Sequence, residues 1–205
     1  MVFKKHLLKK AAAAAFLFFW GAALAQDAKR QLVVAAHPLA AQAGLSILRA
    51  GGSAMDAAVA VQAMLGLVEP ESSGIGGGAF LLYWSESEKK LRSYDGRETA
   101  PATARPDRFL REGAPMQRDE AIIGGRSVGV PGVLRMLEAA HGRHGRLPWA
   151  ELFAPAIFSA EEGFQASARL RGQLEEARRK DARIAAGNPY YAGDKIVNRA
   201  YGATL

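Results

Sequence analysis

Gly51-Gly52-Ser53-Ala54-Met55-Asp56-Ala57-Ala58-Val59-Ala60 holds a helix stop followed at once by a helix start. Gly51-Gly52 ends a helical stretch that His37-Pro38 opens and that runs to about Ala50, because glycine readily adopts the left-handed backbone of a C-terminal cap. Ser53 and Asp56 then form an acidic variant of the capping box, in which side-chain acceptors serve the free amides of a helix start. The spacing predicts a second helix from Ala54 to about Val68. It carries Ala57, Ala58, Val59, Ala60, Val61, Ala63, Met64 and Leu65, so it is apolar almost all round and belongs at the centre of a core. Asp56 and Gln62 interrupt it and Glu69-Pro70 ends it, which speaks against a membrane span.

Outward from this pair, Leu32-Val33-Val34-Ala35-Ala36 is strand-like. On the other side, a glycine run at 74–78 leads into the strand candidate Phe80-Leu81-Leu82-Tyr83-Trp84. A polar turn at 85–89 joins it to Lys90-Leu91-Arg92-Ser93-Tyr94-Asp95, and the two read as a hairpin. Residues 99–120, rich in Pro, Arg, Asp and Glu, are expected to be loop with a short helix. Pro131 is placed as the first residue of a helix reaching Ala140. Pro148 starts another, with an apolar stripe of Trp149, Leu152, Phe153, Ala156, Ile157 and Ala160 that Pro155 should bend or interrupt. A charged surface helix is expected over 167–186 and a turn at Asn188-Pro189. Helices and strands mixed in this way give an α/β (α+β) fold.

The chain has 205 residues, no cysteine and a formal net charge of +7. Lys4, Lys5, Lys9 and Lys10, an apolar run through Phe16-Leu17-Phe18-Phe19-Trp20, and Ala23-Leu24-Ala25 follow the order of a secretory signal peptide. Cleavage after Ala25 would start the mature chain at Gln26 and place it in the periplasm or outside the cell. The alternative, a membrane anchor, has an apolar part shorter than the ~20 residues of a spanning helix. Without the leader the charge falls to +3. Residues 26–164 carry 15 Lys/Arg against 16 Asp/Glu, and the surplus sits in 165–205. No basic face remains across the body of the protein, so nucleic acid is not an expected partner. The lack of thiols excludes a cysteine nucleophile, thiolate zinc and cysteine-ligated iron–sulfur clusters.

The glycine run invites a phosphate-loop reading, but it follows a helix and precedes a strand, with no Lys-Ser/Thr. Close backbone packing, or approach to a substrate, is the favoured reading. His141 and His144 are read as a helix-end cap or solvated loop rather than metal ligands, and no metal or cofactor is expected. Asp95-Gly96-Arg97-Glu98 sits where a strand gives way to a loop, a common place for binding groups. Arg97 could give two parallel hydrogen bonds to a carboxylate ligand, or could pair with Asp95, Glu98 or another acid. No serine, threonine or acid pair has a nucleophilic signature such as G-x-S-x-G.

Taken in order, 51–60, Ser73-Gly74-Ile75-Gly76-Gly77-Gly78-Ala79-Phe80, Asp95-Gly96-Arg97-Glu98-Thr99-Ala100-Pro101, Val128-Gly129-Val130-Pro131-Gly132 and the segment from His144-Gly145 to Glu162-Gly163-Phe164 resemble the large subunit of γ-glutamyltransferases. The resemblance implies an N-terminal-nucleophile hydrolase, an αββα sandwich whose precursor cuts itself into large and small subunits. In that family the new N-terminal threonine attacks the γ-glutamyl amide of glutathione or a related donor. The γ-glutamyl group then passes to water, an amino acid or a peptide. Arg97 matches the arginine that binds the donor's α-carboxylate. Ala79 stands where a further glycine is common. The threonine-bearing segment would follow Leu205, Ser72-Ser73 is not the family's oxyanion serine pair, and Thr99, Thr103 and Thr204 lack the processing context.

Residues 26–205 are therefore expected to be a truncated N-terminal portion of the large subunit, with an incomplete sandwich, no catalytic residue of its own and no transfer activity alone. The implied partners are the small subunit, a γ-glutamyl donor and an acceptor. Two other readings are a fragment of a related glutaryl-type acylase, and a noncatalytic binding or assembly protein whose exposed core favours association.

Overall fold

In the computed structural model, residues 31–180, 191 and 193–205 are described. The signal-peptide reading and the turn at Asn188-Pro189 fall outside them. The compact unit spans residues 33–205. It contains α1 (Pro38–Arg49), α2 (Ala54–Val68), β1 (Ala79–Ser85), β2 (Lys90–Gly96), β3 (Leu110–Arg111), β4 (Ala114–Pro115), α3 (Arg118–Ile122), α4 (Val133–His144), α5 (Ala154–Glu162), β5 (Phe164–Gln165), α6 (Ala168–Lys180), β6 (Lys195–Ile196) and α7 (Arg199–Thr204).

The start of α2 has the expected chemistry. The Ser53 hydroxyl accepts the Asp56 amide at 3.1 Å, and the Asp56 carboxylate accepts the Ser53 amide at 2.7 Å. The helix is central: Met55, Val59, Ala60, Ala63, Leu67 and Val68 are all buried, and it packs on α1, α4 and α5. Each large side chain so buried contributes on the order of 2 kcal/mol. Two distant tyrosines hold its carbonyl groups. The Tyr201 hydroxyl donates to the Ala63 carbonyl and the Tyr191 hydroxyl to that of Leu67, each at 2.8 Å.

β1 and β2 form the expected antiparallel hairpin, with Phe80 opposite Asp95 and Trp84 opposite Leu91. Alternation divides its residues. Ala79, Leu81, Tyr83 and Tyr94 pack on the core, whereas Phe80, Leu82, Trp84 and Leu91 lie exposed on the sheet. The other ladders, β3 with β4 and β5 with β6, are two residues long.

Three expectations need correction. Residues 32–36 form no strand: they find no ladder partner among the described residues, and Leu32 and Val34 point outward. α4 begins at Val133, not Pro131, and runs past Ala140 to His144. At its start the amides of Gly132 and Val133 both donate to the Gly77 carbonyl, at 3.1 and 3.2 Å, so the glycine run fixes the entry. At its end the His144 ring stacks on Tyr83 with centroids 4.0 Å apart and bonds the Tyr94 hydroxyl at 2.8 Å, which draws the last turn onto the hairpin. Pro155 interrupts the next helical stretch as expected, dividing a 3-10 turn at Trp149–Phe153 from α5. The surface helix α6 is described to Lys180.

Candidate substrate cleft

β2 ends at Gly96 and places Arg97 at the mouth of the following loop. Its backbone is held on several sides. The Arg97 amide donates to Asp95 Oδ1 at 2.9 Å, and Thr99 and Val130 exchange both backbone bonds, at 3.3 and 2.9 Å. Three glycines press against this turn where no side chain would fit. A Cβ on Gly78 would lie 2.7 Å from the Gly96 carbonyl, one on Gly129 would lie 2.8 Å from Glu98 Cβ, and one on Gly132 would lie 2.7 Å from the Arg97 carbonyl. The glycine-run, Asp95–Glu98 and Val128–Gly132 motifs, scattered in sequence, thus meet at one place. Of the two readings favoured for the glycine run, close backbone packing and approach to a substrate, the first holds at Gly78.

The Arg97 side chain is 58% exposed, with Nη1 3.2 Å from Glu98 Oε2. Of the alternatives open from sequence, pairing with Glu98 is present, and the guanidinium still faces solvent. Besides a hollow of about 320 Å³ shared with Tyr94, Val130 and Met136, Arg97 lines two more. One, of about 600 Å³, is lined by Gln62, Glu71, Ser72, Ser73, the glycines at 74 and 76–78, Arg97 and Glu98. The other, of about 340 Å³, is lined by Arg97 to Pro101, Ala104, Arg108, Phe109 and 126–129. Both sizes suit a small ligand.

Several lining residues escaped the sequence reading. In the sequence Gln62 is a polar break in an apolar helix, and a polar residue there is itself a signal. Glu71 followed a helix stop and carried no motif. Its carboxyl is pushed above the usual range, first by burial, against a backbone hydrogen bond that pulls it down, with the neighbouring Glu69 adding to the rise. Arg169 of α6, which is not among the lining residues, lies 3.3 Å from the buried Glu69 carboxylate and donates to the Ser72 hydroxyl at 3.2 Å.

The two histidines stand at a helix end, as one of their two readings had it, but neither is in a solvated loop. His141 Nε2 lies 3.0 Å from the Leu147 carbonyl and 3.2 Å from Asp56 Oδ1. Burial holds the His144 imidazole below its usual pKa, and Arg92 acts the same way. Among the described residues no group of three or more His, Asp or Glu side chains could hold a metal ion.

The Gamma-glutamyltranspeptidase family model matches residues 40–205. The chain belongs to the γ-glutamyltranspeptidase family. It is 39% identical over 185 residues to a glutathione hydrolase proenzyme of Bacillus subtilis, a match covering 86% of this chain and 32% of that protein. It superposes on the γ-glutamyltranspeptidase of Helicobacter pylori with a TM-score of 0.80 and 31% identity, covering 87% of this chain and 53% of that one. A cephalosporin acylase from Bacillus halodurans follows with a TM-score of 0.66 and 30% identity, over 86% and 36% of the two chains. The chain thus spans about a third of the length of the B. subtilis relative. The fold is that of the γ-glutamyltranspeptidases, N-terminal-nucleophile hydrolases, and it is a partial domain. The described hairpin is one sheet layer, with α4 packed on β2.

Proposed function

We propose that this chain is the donor-binding part of a γ-glutamyltransferase that hydrolyses glutathione, and that Arg97 grips the donor's α-carboxylate. The observation that carries the reading is the exposed guanidinium of Arg97, on a backbone fixed by Asp95 and three glycines, in the lining of ligand-sized hollows. A planar fork held this way meets a carboxylate with two parallel bonds. The reaction itself draws on a threonine outside these residues. Its hydroxyl oxygen adds to the γ-glutamyl carbonyl as its proton passes to the threonine's own amine; the amide C–N bond then breaks and the leaving amine takes the proton. Water or an amino group next attacks the ester, releasing glutamate or a new γ-glutamyl amide and restoring the threonine.

Three further features belong to this reading. Residues 1–25 act as a cleavable leader that delivers residues 26–205 to the periplasm or the exterior. The small subunit of the same precursor covers the exposed hairpin face of Phe80, Leu82, Trp84 and Leu91, which is too apolar to leave in water. The segment alone carries no transfer activity.

Joining this segment to a family small subunit in one precursor tests the assignment. Self-cleavage followed by release of glutamate from a γ-glutamyl amide is the expected result; a precursor that folds and cleaves but never forms a γ-glutamyl ester refutes it. The acylase neighbour motivates one control. A glutaryl amide offers the same carboxylate without the α-ammonium, and stronger competition by it than by glutathione would transfer the assignment to an acylase.

A further inference from the structure

Of the six arginines from 97 to 126, Arg118 at the start of α3 does not line the hollow of about 340 Å³, and the other five fall into two kinds. Arg97 pairs with Glu98 at 3.2 Å, Arg105 with Asp107 at 3.2 Å, and Arg111 with Glu120. Arg108 and Arg126 have no carboxylate within ion-pair distance among the described residues. They hold each other's backbone instead. Arg108 Nε donates to the Arg126 carbonyl at 2.6 Å and its Nη2 to the Gly125 carbonyl at 3.2 Å, while Arg126 Nη1 donates to the Arg108 carbonyl at 2.6 Å. Carbonyl oxygens orient a guanidinium without neutralising it, and these bonds use only part of each five-donor fork. Both side chains line the hollow of about 340 Å³, together with Arg97, Thr99, Phe109 and Ser127. Three arginines therefore face one cavity in which Glu98 is the single carboxylate.

We propose that this hollow is a second anion site, which takes the carboxylate at the far end of a γ-glutamyl donor. In glutathione that group is the glycine carboxylate. The assignment rests on the reading of Arg97 given above: Arg97 takes the α-carboxylate at one end of the tripeptide, and Arg108 with Arg126 takes the other. The surplus of cations would be a cost in an empty structural cavity, since like charges repel, and becomes an asset when an anion enters. The crossed backbone bonds give the pair a fixed position, so little side-chain freedom is lost on binding. The site selects donors whose leaving portion ends in an anion over donors whose leaving portion is neutral.

Calorimetric titration of the full chain with glutathione and with its C-terminal glycinamide tests this directly, since the amide keeps everything except the far charge. Glutathione is expected to bind about tenfold more tightly, as one charge-assisted contact warrants. In R108Q/R126Q the advantage should vanish while the glycinamide binds as before. Rising salt should weaken glutathione more than the glycinamide in the unaltered protein, a reading that needs no variant. Equal affinities in the unaltered protein, or an advantage that survives R108Q/R126Q, would overturn the proposal. Should neither peptide bind, the Arg97 reading fails separately, and tricarballylate, which has no γ-glutamyl group, then probes the cavity: saturable binding lost in R108Q/R126Q sustains the anion site, and no binding removes it.

Discussion

Asp56 Oδ2 accepts the backbone amide of Arg146 at 3.0 Å, across 90 positions of sequence. The same carboxylate, fully buried, also accepts the amides of Ser53 at 2.7 Å and Leu147 at 3.3 Å and stands beside His141. One side chain thereby caps the central helix and pins the loop after α4 to it. Its charge is met by hydrogen-bond donors, which is the condition for burying a carboxylate.

Replacing it should expose the difference between those two roles. Asp56→Ala leaves three amides without their acceptor and is expected to cost roughly 3–5 kcal/mol. Ser53→Ala removes only the local cap and should cost about 1 kcal/mol. Urea midpoints of the two variants measure both; similar losses would mean that Asp56 acts only as a cap.

Gly132 lies against the carbonyl groups of Gly96 and Arg97 in an ordinary backbone conformation, so what it supplies is room. Gly132→Ala puts a methyl group 2.7 Å from the Arg97 carbonyl, and backbone on that side cannot swing away as a flexible side chain would. We expect a loss of about 1–3 kcal/mol in urea denaturation, together with weaker donor binding as the Arg97 turn moves. Unchanged stability and unchanged affinity would show that the turn has slack.

These examples mark how far the sequence could be read. The capping box, α1, α2 and the hairpin were legible because their signals are local: a side chain three positions from an amide, or an alternation along one strand. The second duty of Asp56 was invisible, since nothing near position 56 refers to Arg146. Leu32–Ala36 has strand composition, yet a strand also requires a neighbour, and composition does not supply one. Arg97 was legible as a loop arginine after a strand. The character of Arg108 and Arg126 depends on which carboxylates sit elsewhere, and only the packed chain reveals that.

Arg97→Lys keeps the charge and loses the fork. In a self-processed precursor containing this segment, KM for a γ-glutamyl donor should rise about tenfold or more, because a lysine makes one point contact where arginine makes two. Stability should stay within about 0.5 kcal/mol, as expected for a side chain that is 58% exposed. An unchanged KM would count against Arg97 as the carboxylate ligand, and a fall in urea midpoint alone would make it a structural residue.

Tyr201 contributes to an alkaline limit on stability, alongside Tyr191, whose phenol burial also pushes up. Its hydroxyl donates to the Ala63 carbonyl at 2.8 Å, and burial, followed by the neighbouring Tyr191, pushes the phenol up to about 12. An unfolded tyrosine ionises near 10. The folded state therefore prefers the neutral phenol: the contribution is fully present below about pH 10 and is lost as pH rises through about 12. Tyr201→Phe cannot ionise. At neutral pH it should be less stable by on the order of 1 kcal/mol, for the lost hydrogen bond. As pH climbs from about 10 towards 12 that gap should close and then invert, because at position 201 the unaltered protein alone is drawn toward the unfolded tyrosinate. Urea midpoints of both proteins across this range measure the gap, and a constant difference would show that the phenol ionises alike in the folded and unfolded chains.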